Sequence, residues 1–334
     1  MDTMRVYMNF REIKGPYGGA NSFLRALRRS FERRNLKVVN DVNGPFDIAL
    51  LNALTDGIDL EFVQQLAKRN IPIVHRKVGY RVSGSPDMRR RVNGVVWGDK
   101  LQIDFTPHIQ HSIFQSTYSR NVFLDSGFHG EYSVIHNGVD EDMFNLYTSG
   151  ILNIGKKPRT FWTPGRPMKI IISSWSRDYN KGFEEYAEID RQLKGVKDIQ
   201  VSLVGRLPDD LRFGNIRVHR PRAHARLAAL LKRHHVLLQL ARFETCSNAL
   251  IEGINCGLPV IYLDSGANKE IAEDYGVQYR GDFFAAIEEI RAQYGLLIKQ
   301  IQDNPYRISL VADRYLSVLR QVLGDRRKPS LPGL

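Results

Sequence analysis

Two glutamates, Glu244 and Glu252, stand in the segment ARFETCSNALIEGINCGLPVIYLDSGANKEI, which runs from Ala241 to Ile271. Glu244 falls just after the apolar run VLLQLA. Thr245 or Ser247 can cap a following helix, and Gly257 and Pro259 close it before the next apolar run, PVIYL. The first backbone N–H groups of such a helix are unpaired and lie at its positive end. Around Cys246, Ser247 and Asn248 they offer donors to an anion such as a diphosphate, with no metal needed. At roughly 100° per residue, Glu252 shares a helix face with Asn248, and Leu250, Ile251 and Ile254 take the opposite side against a sheet. A carboxylate beside a phosphate would repel it, so Glu252 is expected to accept hydrogen bonds from neutral hydroxyls, as an acidic residue does on a ribose. The spacing suits a nucleotide.

Such a site needs strands and helices to hold it, and the chain alternates them. RVYMNF, a glycine-rich turn GPYGGA and NSFLRALRRSFERR read as strand, turn and helix, with Phe23, Leu24, Leu27 and Phe31 at helical spacing. LKVVN, DIALLN and IPIVHR follow as short strands, with the helix FVQQLAKR between the last two, and SIFQS and YSVIHNG resume the theme. Residues 79–100 carry no clear period and read as a loop region. GILNIGKKPRTFWTPGRP has the proline and glycine content of a boundary. Beyond it MKIIISS, IQVSLVG, NIRVHR, VLLQLA and PVIYL are strand-like, and KGFEEYAEIDRQL, ARLAALLKRH and SNALIEGINC are helices. In NPYRISLVADRYLSVLRQVL, a closing helix would gather Leu310, Val311, Tyr315, Val318, Leu319 and Val322 on one side. The α/β pattern implies two Rossmann-like domains with parallel sheets: residues 1–155, a linker at 156–167, residues 168–304, and a closing helix and tail at 305–334. The carboxyl ends of their strands are expected to face a shared central cleft.

The Glu244-to-Glu252 spacing, with the downstream GLPVIYLDSG, resembles the retaining glycosyltransferases of family 4. GPYGGANSFL is similar to that family's glycine loop, HNGVDEDMF to its Asn-Gly-Val-Asp signature and SSWSRDYNKGFEEY to its Lys-Gly segment, so the resemblance covers most of the chain. It implies a GT-B fold, a nucleotide-sugar donor held mainly by the second domain, and an acceptor, a glycan or lipid-linked glycan, bound by the first. Glu252 would then bind ribose hydroxyls. Glu244 would lie beside the donor sugar near the amides of Cys246 and Ser247, and Lys181 would neutralise the diphosphate. The family's arginine falls at Ser176 here, with Arg177 one residue later as a shifted substitute. Gly18 and Gly19 would let the first domain's backbone approach the phosphates, or merely shape a tight turn. His75, ending IPIVHR, would reach the cleft to touch acceptor or donor; the reading His-Arg-Lys-Val-Gly puts Val78 where the resemblance expects a carboxylate. Retention of configuration rests on the resemblance, and no cofactor or metal is implied.

Composition sets the outer limits. Of 334 residues, 43% are hydrophobic and 25% charged, which argues against a disordered chain, and two cysteines cannot staple a chain this long. The start MDTMRVYMNF lacks a signal-peptide pattern, and no apolar run nears the roughly 20 residues of a bilayer span, so a cytoplasmic protein is expected. A net charge of +12 attracts polyanions and leaves peripheral contact with an anionic membrane open, through arginines such as Arg25, Arg28, Arg29, Arg33 and Arg34. No nucleic-acid-binding signature is present, so nucleic acid is not an expected partner. GPYGG lacks the Gly-x-Gly-x-x-Gly order of a nicotinamide-dinucleotide site. Two alternatives to glycosyl transfer stand: a nucleotide-sugar epimerase and, supported by charge alone, a basic nucleic-acid-binding protein.

Overall fold

The computed structural model describes residues 3–12, 19–52, 58–78, 91–92, 95–149 and 156–324. The chain forms two compact units, one from Met1–Glu12, Leu24–Asn137 and Ile308–Leu334, the other from Ile13–Phe23 and Gly138–Arg307.

The first unit is built on strands β1 (Arg5–Met8), β2 (Lys37–Val39), β3 (Ile48–Asn52) and β4 (Ile73–Arg76), a short antiparallel pair β5 (Arg91–Val92) and β6 (Val95–Val96), then β7 (His111–Phe114) and β8 (Tyr132–Val134). Its main sheet is parallel throughout, in the order β2-β1-β3-β4-β7-β8. Helices α1 (Gly19–Glu32), α2 (Leu60–Lys68), α3 (Trp97–Asp104) and α4 (Thr117–Asp125) connect the strands. Asp59 caps α2 by accepting from the Phe62 amide at 2.8 Å, and Ser116 caps α4 by accepting from Ser119 at 3.0 Å. All five residues of β3 are buried, the pattern of a parallel strand covered on both faces.

The carboxyl ends of these strands carry a buried polar ladder. Asn9 and Asn52 bond each other across β1 and β3, and the Arg76 guanidinium donates to side-chain oxygens of Asn52, Gln115 and Asn137 at 2.6–2.7 Å. Next to it Lys77 is fully buried. Its Nζ donates to the Gln102 carbonyl and lies 5.3 Å and 5.9 Å from the ring centroids of Phe128 and Phe123. Among the described residues no carboxylate pairs with it, and burial pushes its amine down to about 7.

The second unit opens with an antiparallel pair, β9 (Tyr147–Ser149) and β10 (Lys156–Pro158). It continues with β11 (Met168–Ser174), α5 (Phe183–Gln192), β12 (Ile199–Gly205), β13 (Arg217–His219), α6 (His224–Leu231) and β14 (Val236–Gln239). Then come α7 (Asn248–Asn255), β15 (Val260–Leu263), α8 (Asn268–Ala272), β16 (Gly276–Tyr279) and the long α9 (Phe283–Gln302). Its sheet is again parallel, ordered β13-β12-β11-β14-β15-β16. One face of it buries Ile170, Ile172, Val201, Leu203 and Leu238 against Phe183, Tyr186, Ile189, Ile287 and Ile290. The closing helix, α10 (Ile308–Val322), belongs to the first unit, where Arg34 reaches Asp313 at 2.7 Å and the Ser309 carbonyl at 2.8 Å. Its packed side differs from the expected one at two positions: Leu310 is exposed and Val322 only half-buried, and Ile308, Ala312 and Leu316 complete the buried stripe.

Lys77 generates a stability prediction. The unfolded chain holds this proton up to the ordinary 10.5, so between about 7 and 10.5 the unfolded state binds more protons and stability rises with pH. Lys77→Met removes the buried amine. It is expected to raise the melting temperature by a few degrees near pH 6, with the gain shrinking toward pH 10. Equal shifts at the two pH values in thermal scans would contradict the assignment.

Candidate functional site

In the second sheet the chain starts at β11, builds outward to β12 and β13, then returns past β11 to β14. The strand order therefore reverses between β11 and β14, and loops leaving those two carboxyl ends diverge to form a crevice. Lys181 comes from the first loop and Glu244 from the second.

After β11 the chain makes a tight turn over Tyr179–Lys181, held by Asp178, whose carboxylate accepts from the Asn180 amide at 2.9 Å. Gly182 follows with φ +88°, and a Cβ there would stand 2.7 Å from the Leu240 carbonyl oxygen. Glycine is required on both counts. The Arg242 amide donates to the Asn180 carbonyl at 2.7 Å and joins the two loops. Glu244 is fixed from the other side. The Phe243 amide donates to Ser265 Oγ at 3.0 Å, the Ala267 amide to the Glu244 carbonyl at 2.8 Å, and Gly266 leaves room that a Cβ would fill, 2.4 Å from that carbonyl. Lys181 Nζ thereby donates to Glu244 Oε1 in a half-buried ion pair.

Helix α7 begins as expected. Ser247 is its N-cap, its Oγ facing the Leu250 amide at 3.5 Å and accepting from Gln239 Nε2 at 3.0 Å. Leu250, Ile251 and Ile254 are fully buried, as the helical spacing predicts, and Gly253 lies against Leu237, which a Cβ would meet at 2.7 Å. Cys246 and Cys256 are both buried thiols, and burial pushes Cys256 up to about 12. Glu252 is 8% exposed and lines a cavity of about 120 Å³ with Ser173, Ser174, Trp175, Gly205 and Asn248. Among the described residues none donates a hydrogen bond to its carboxylate, and burial pushes it up to about 8.

The remaining candidates lie elsewhere. Arg177 is exposed and paired with Asp209. Gly18 lies outside the described residues, and Gly19 is the first residue of α1. His75 is sealed inside β4, its ring 5.6 Å from that of Phe105. In residues 79–100, read as loop, the described parts hold β5, β6 and the start of α3. Sequence reading passed over two residues at the strand ends. Trp175, directly after β11, stacks under the Arg206 guanidinium, directly after β12, at 4.2 Å from the ring centroid. Their positions after MKIIISS and IQVSLVG were the available signal. Among the described residues no cluster of three His, Cys, Asp or Glu side chains could hold a metal, and no helix is long and apolar enough to cross a membrane.

Two doubly wound parallel sheets flanked by helices define the class: this is the fold of the GT-B glycosyltransferases. Among solved structures, the chain is similar to sucrose-phosphate synthase from Thermosynechococcus elongatus, with a TM-score of 0.70 and 14% identity over 97% of this chain and 100% of that one. It is similar to a glycosyltransferase from Rickettsia africae at TM-score 0.63 and 11% identity, covering 98% of this chain and 100% of that one. A third match is described as trehalose-6-phosphate from E. coli bound with UDP-2-fluoro glucose, at TM-score 0.64 and 11% identity, covering 96% and 99%. No protein-family profile and no curated protein sequence matches the chain.

Glu252 gives the site a measurable cost. Its carboxyl holds a proton in the folded state up to about 8 but only to the ordinary 4.5 when unfolded, so stability falls as pH rises through that window. Glu252→Gln keeps the shape without the charge. It is expected to stabilise the protein by on the order of a few kcal/mol at pH 8 and by little at pH 5. Denaturant titrations at the two pH values check this, and a variant less stable than the parent at pH 8 would refute it.

Proposed function

We propose that the second unit binds a nucleotide-diphosphate sugar and that the protein transfers the sugar, with retained anomeric configuration and without a metal ion, to a hydroxyl of a glycan or lipid-linked glycan. The observation that carries this reading is the arrangement at the strand-order reversal. A cation from one loop, a carboxylate from the other and a buried, unsatisfied carboxylate on α7 stand at the same sheet edge as a helix N-terminus. The sucrose-phosphate synthase likeness and the UDP-2-fluoro glucose complex support a nucleotide sugar as donor.

In this proposal ribose hydroxyls donate to Glu252 and supply the hydrogen bonds that its carboxylate lacks. The amides at Cys246, Ser247 and Asn248 face the diphosphate, and Lys181 exchanges part of its contact with Glu244 for that anion. As the bond between the anomeric carbon and the diphosphate oxygen lengthens, negative charge grows on the leaving group. Lys181 and the helix amides are already aimed at it, and such preorganised donors accelerate the reaction because they need no reorganisation. Glu244 lies beside the sugar, where developing positive charge favours a carboxylate. Arg177 joins only by leaving Asp209. The acceptor falls to the first unit, and Gly18 and Gly19 lie in the glycine loop that approaches the phosphates; His75, closed inside its sheet, takes no part in these steps. A lipid-linked acceptor would place the reaction in the cytoplasm at the inner face of a membrane, within polysaccharide biosynthesis.

Thermal shift with UDP-, GDP- and ADP-sugars in the presence of a chelator is expected to show one donor class stabilising the protein. With that donor, Lys181→Ala is expected to lower kcat by about 10²- to 10³-fold. Conversion of the donor with no acceptor present would favour an epimerase, and no response to any donor would overturn the proposal. Hydroxyl donors favour the ionised form of Glu252, so its pKa falls on binding. Donor affinity is therefore expected to rise with pH, by at most about tenfold per unit, and to level off above pH 8, where the free carboxyl is already ionised. Calorimetric titrations of Glu252→Gln should lose that slope; a slope that persists would remove Glu252 from the ribose contact.

A further inference from the structure

A cavity of about 890 Å³ in the second unit lies away from the Lys181–Glu244 pair, at the edge of the sheet where β13 is the last strand. Its origin is in the strand sequences. A parallel sheet in a doubly wound unit is normally apolar on both faces. In β12, IQVSLVG, the side chains of Ile199, Val201 and Leu203 join the core with Phe183, Tyr186 and Ile189 of α5, and the alternation of a strand turns Gln200 and Ser202 to the opposite face; the cavity runs along this strand from Ile199 to Ser202. Register extends that polar face to the neighbouring strands: Lys169 pairs with Gln200, Arg217 with Ser202 and His219 with Val204. Helix α6 supplies the opposite wall through Arg226 and Ala229, with Arg233 just beyond its end. The edge is held firmly, because the buried Asp190 carboxylate accepts from the amides of Gly214, Asn215 and Ile216 at 2.7–2.9 Å just before β13.

The cavity is lined by Lys169, Arg217, Arg222, Arg226 and Arg233, and among the described residues no carboxylate lines it. None of the five has an ion-pair partner among the described residues. Elsewhere in the same unit Arg177, Arg242 and Arg291 are paired with Asp209, Glu185 and Asp198. His219 among them is lowered, by burial first and then by Arg217 and Arg222, so the positive potential is felt inside the groove. Like charges gathered without counter-charges repel one another, and an anion that meets several of them relieves the repulsion.

The lining selects among anions. Among the described lining residues there is no Phe, Tyr or Trp on which a nucleobase could stack and no large exposed apolar side chain to enter a bilayer. The groove is concave and within the size range of small-ligand sites. Guanidinium groups converging from a strand and a helix suit tetrahedral phosphate, which they bind through paired N–H donors. We propose that this cavity is a second ligand site, for a compact soluble anion carrying several phosphate groups.

Inorganic tripolyphosphate is the probe, titrated calorimetrically into the whole protein at physiological ionic strength. The wild type is expected to bind one equivalent in the cavity. Arg226→Glu/Arg233→Glu is expected to weaken that binding at least about tenfold, and the milder Arg226→Gln/Arg233→Gln to weaken it by less. Arg29→Glu/Lys299→Glu makes the same change in net charge at exposed positions elsewhere and should leave affinity within about twofold. Lys181→Ala should leave the isotherm unchanged, which separates this site from the donor site. Equal losses in both Glu pairs, an unchanged cavity variant, or loss with Lys181→Ala in place of the cavity pair would overturn the proposal. So would a cavity variant that binds tripolyphosphate like the wild type but fails to bind phosphatidylserine vesicles or a single-stranded oligonucleotide.

Discussion

The site depends on the reversal of strand order between β11 and β14. Parallel strands send all their outgoing loops to one edge, but only where successive connections run in opposite directions does a gap open between two of those loops. The gap here is narrow, and backbone contact keeps it so. Gly182 lies against the Leu240 carbonyl and Gly266 against that of Glu244, at separations no side chain would permit. These approaches bring Lys181 and Glu244 within bonding reach from opposite sides of the reversal. The pair is half-buried, and ion pairs of that kind add little net stability, because desolvation cancels much of the attraction. What the arrangement provides is position: a cation and a carboxylate held together at the reversal of strand order.

Glu252 shows the complementary constraint. Its helix is anchored by Leu250, Ile251 and Ile254 on the sheet and by Gly253 against Leu237, so the turn carrying Glu252 cannot slide toward solvent. The carboxylate stays where it is poorly hydrated, and its affinity for a proton rises. A residue selected for stability alone would be neutral there. An acid at a position that costs folding energy is consistent with the proposed contact to hydroxyl donors.

Much of this could be read from residue types. The Ser247 cap, the apolar side of α7 and the strands on either side follow from spacing, since a helix and a strand each repeat their faces with a fixed period. The buried stripe of α9, from Phe283 and Ile287 to Ile301, follows the same period. What spacing cannot convey is depth and partnership. Helical phase aimed Glu252 away from the sheet without showing how little water reaches it. The partner of Arg177, Asp209, lies beyond a strand and its loops, so their pairing depends on tertiary register. His75 ends an apolar run, which suggested an accessible strand end. β4 is interior to its sheet and covered on both faces, so the ring meets Phe105, and the polar contacts at that edge belong to Arg76.

The two edges of the second sheet show how the same alternation carries different information. β14 and β15 lie inside the sheet and are apolar almost without interruption, since helices cover them front and back. Toward β13 the pattern changes to alternation, with Gln200, Ser202, Arg217 and His219 set between apolar residues. Alternation in an antiparallel sheet would mean only that one face meets water. In a parallel, doubly wound sheet it marks a place where the helical layer is incomplete, because α6 covers only part of that face. Lysine and arginine on such a strip retain hydration that a closed layer would remove, and the absence of acids among them leaves their field unneutralised. The strand sequence therefore specifies an opening in the fold and the sign of the charge that can fill it.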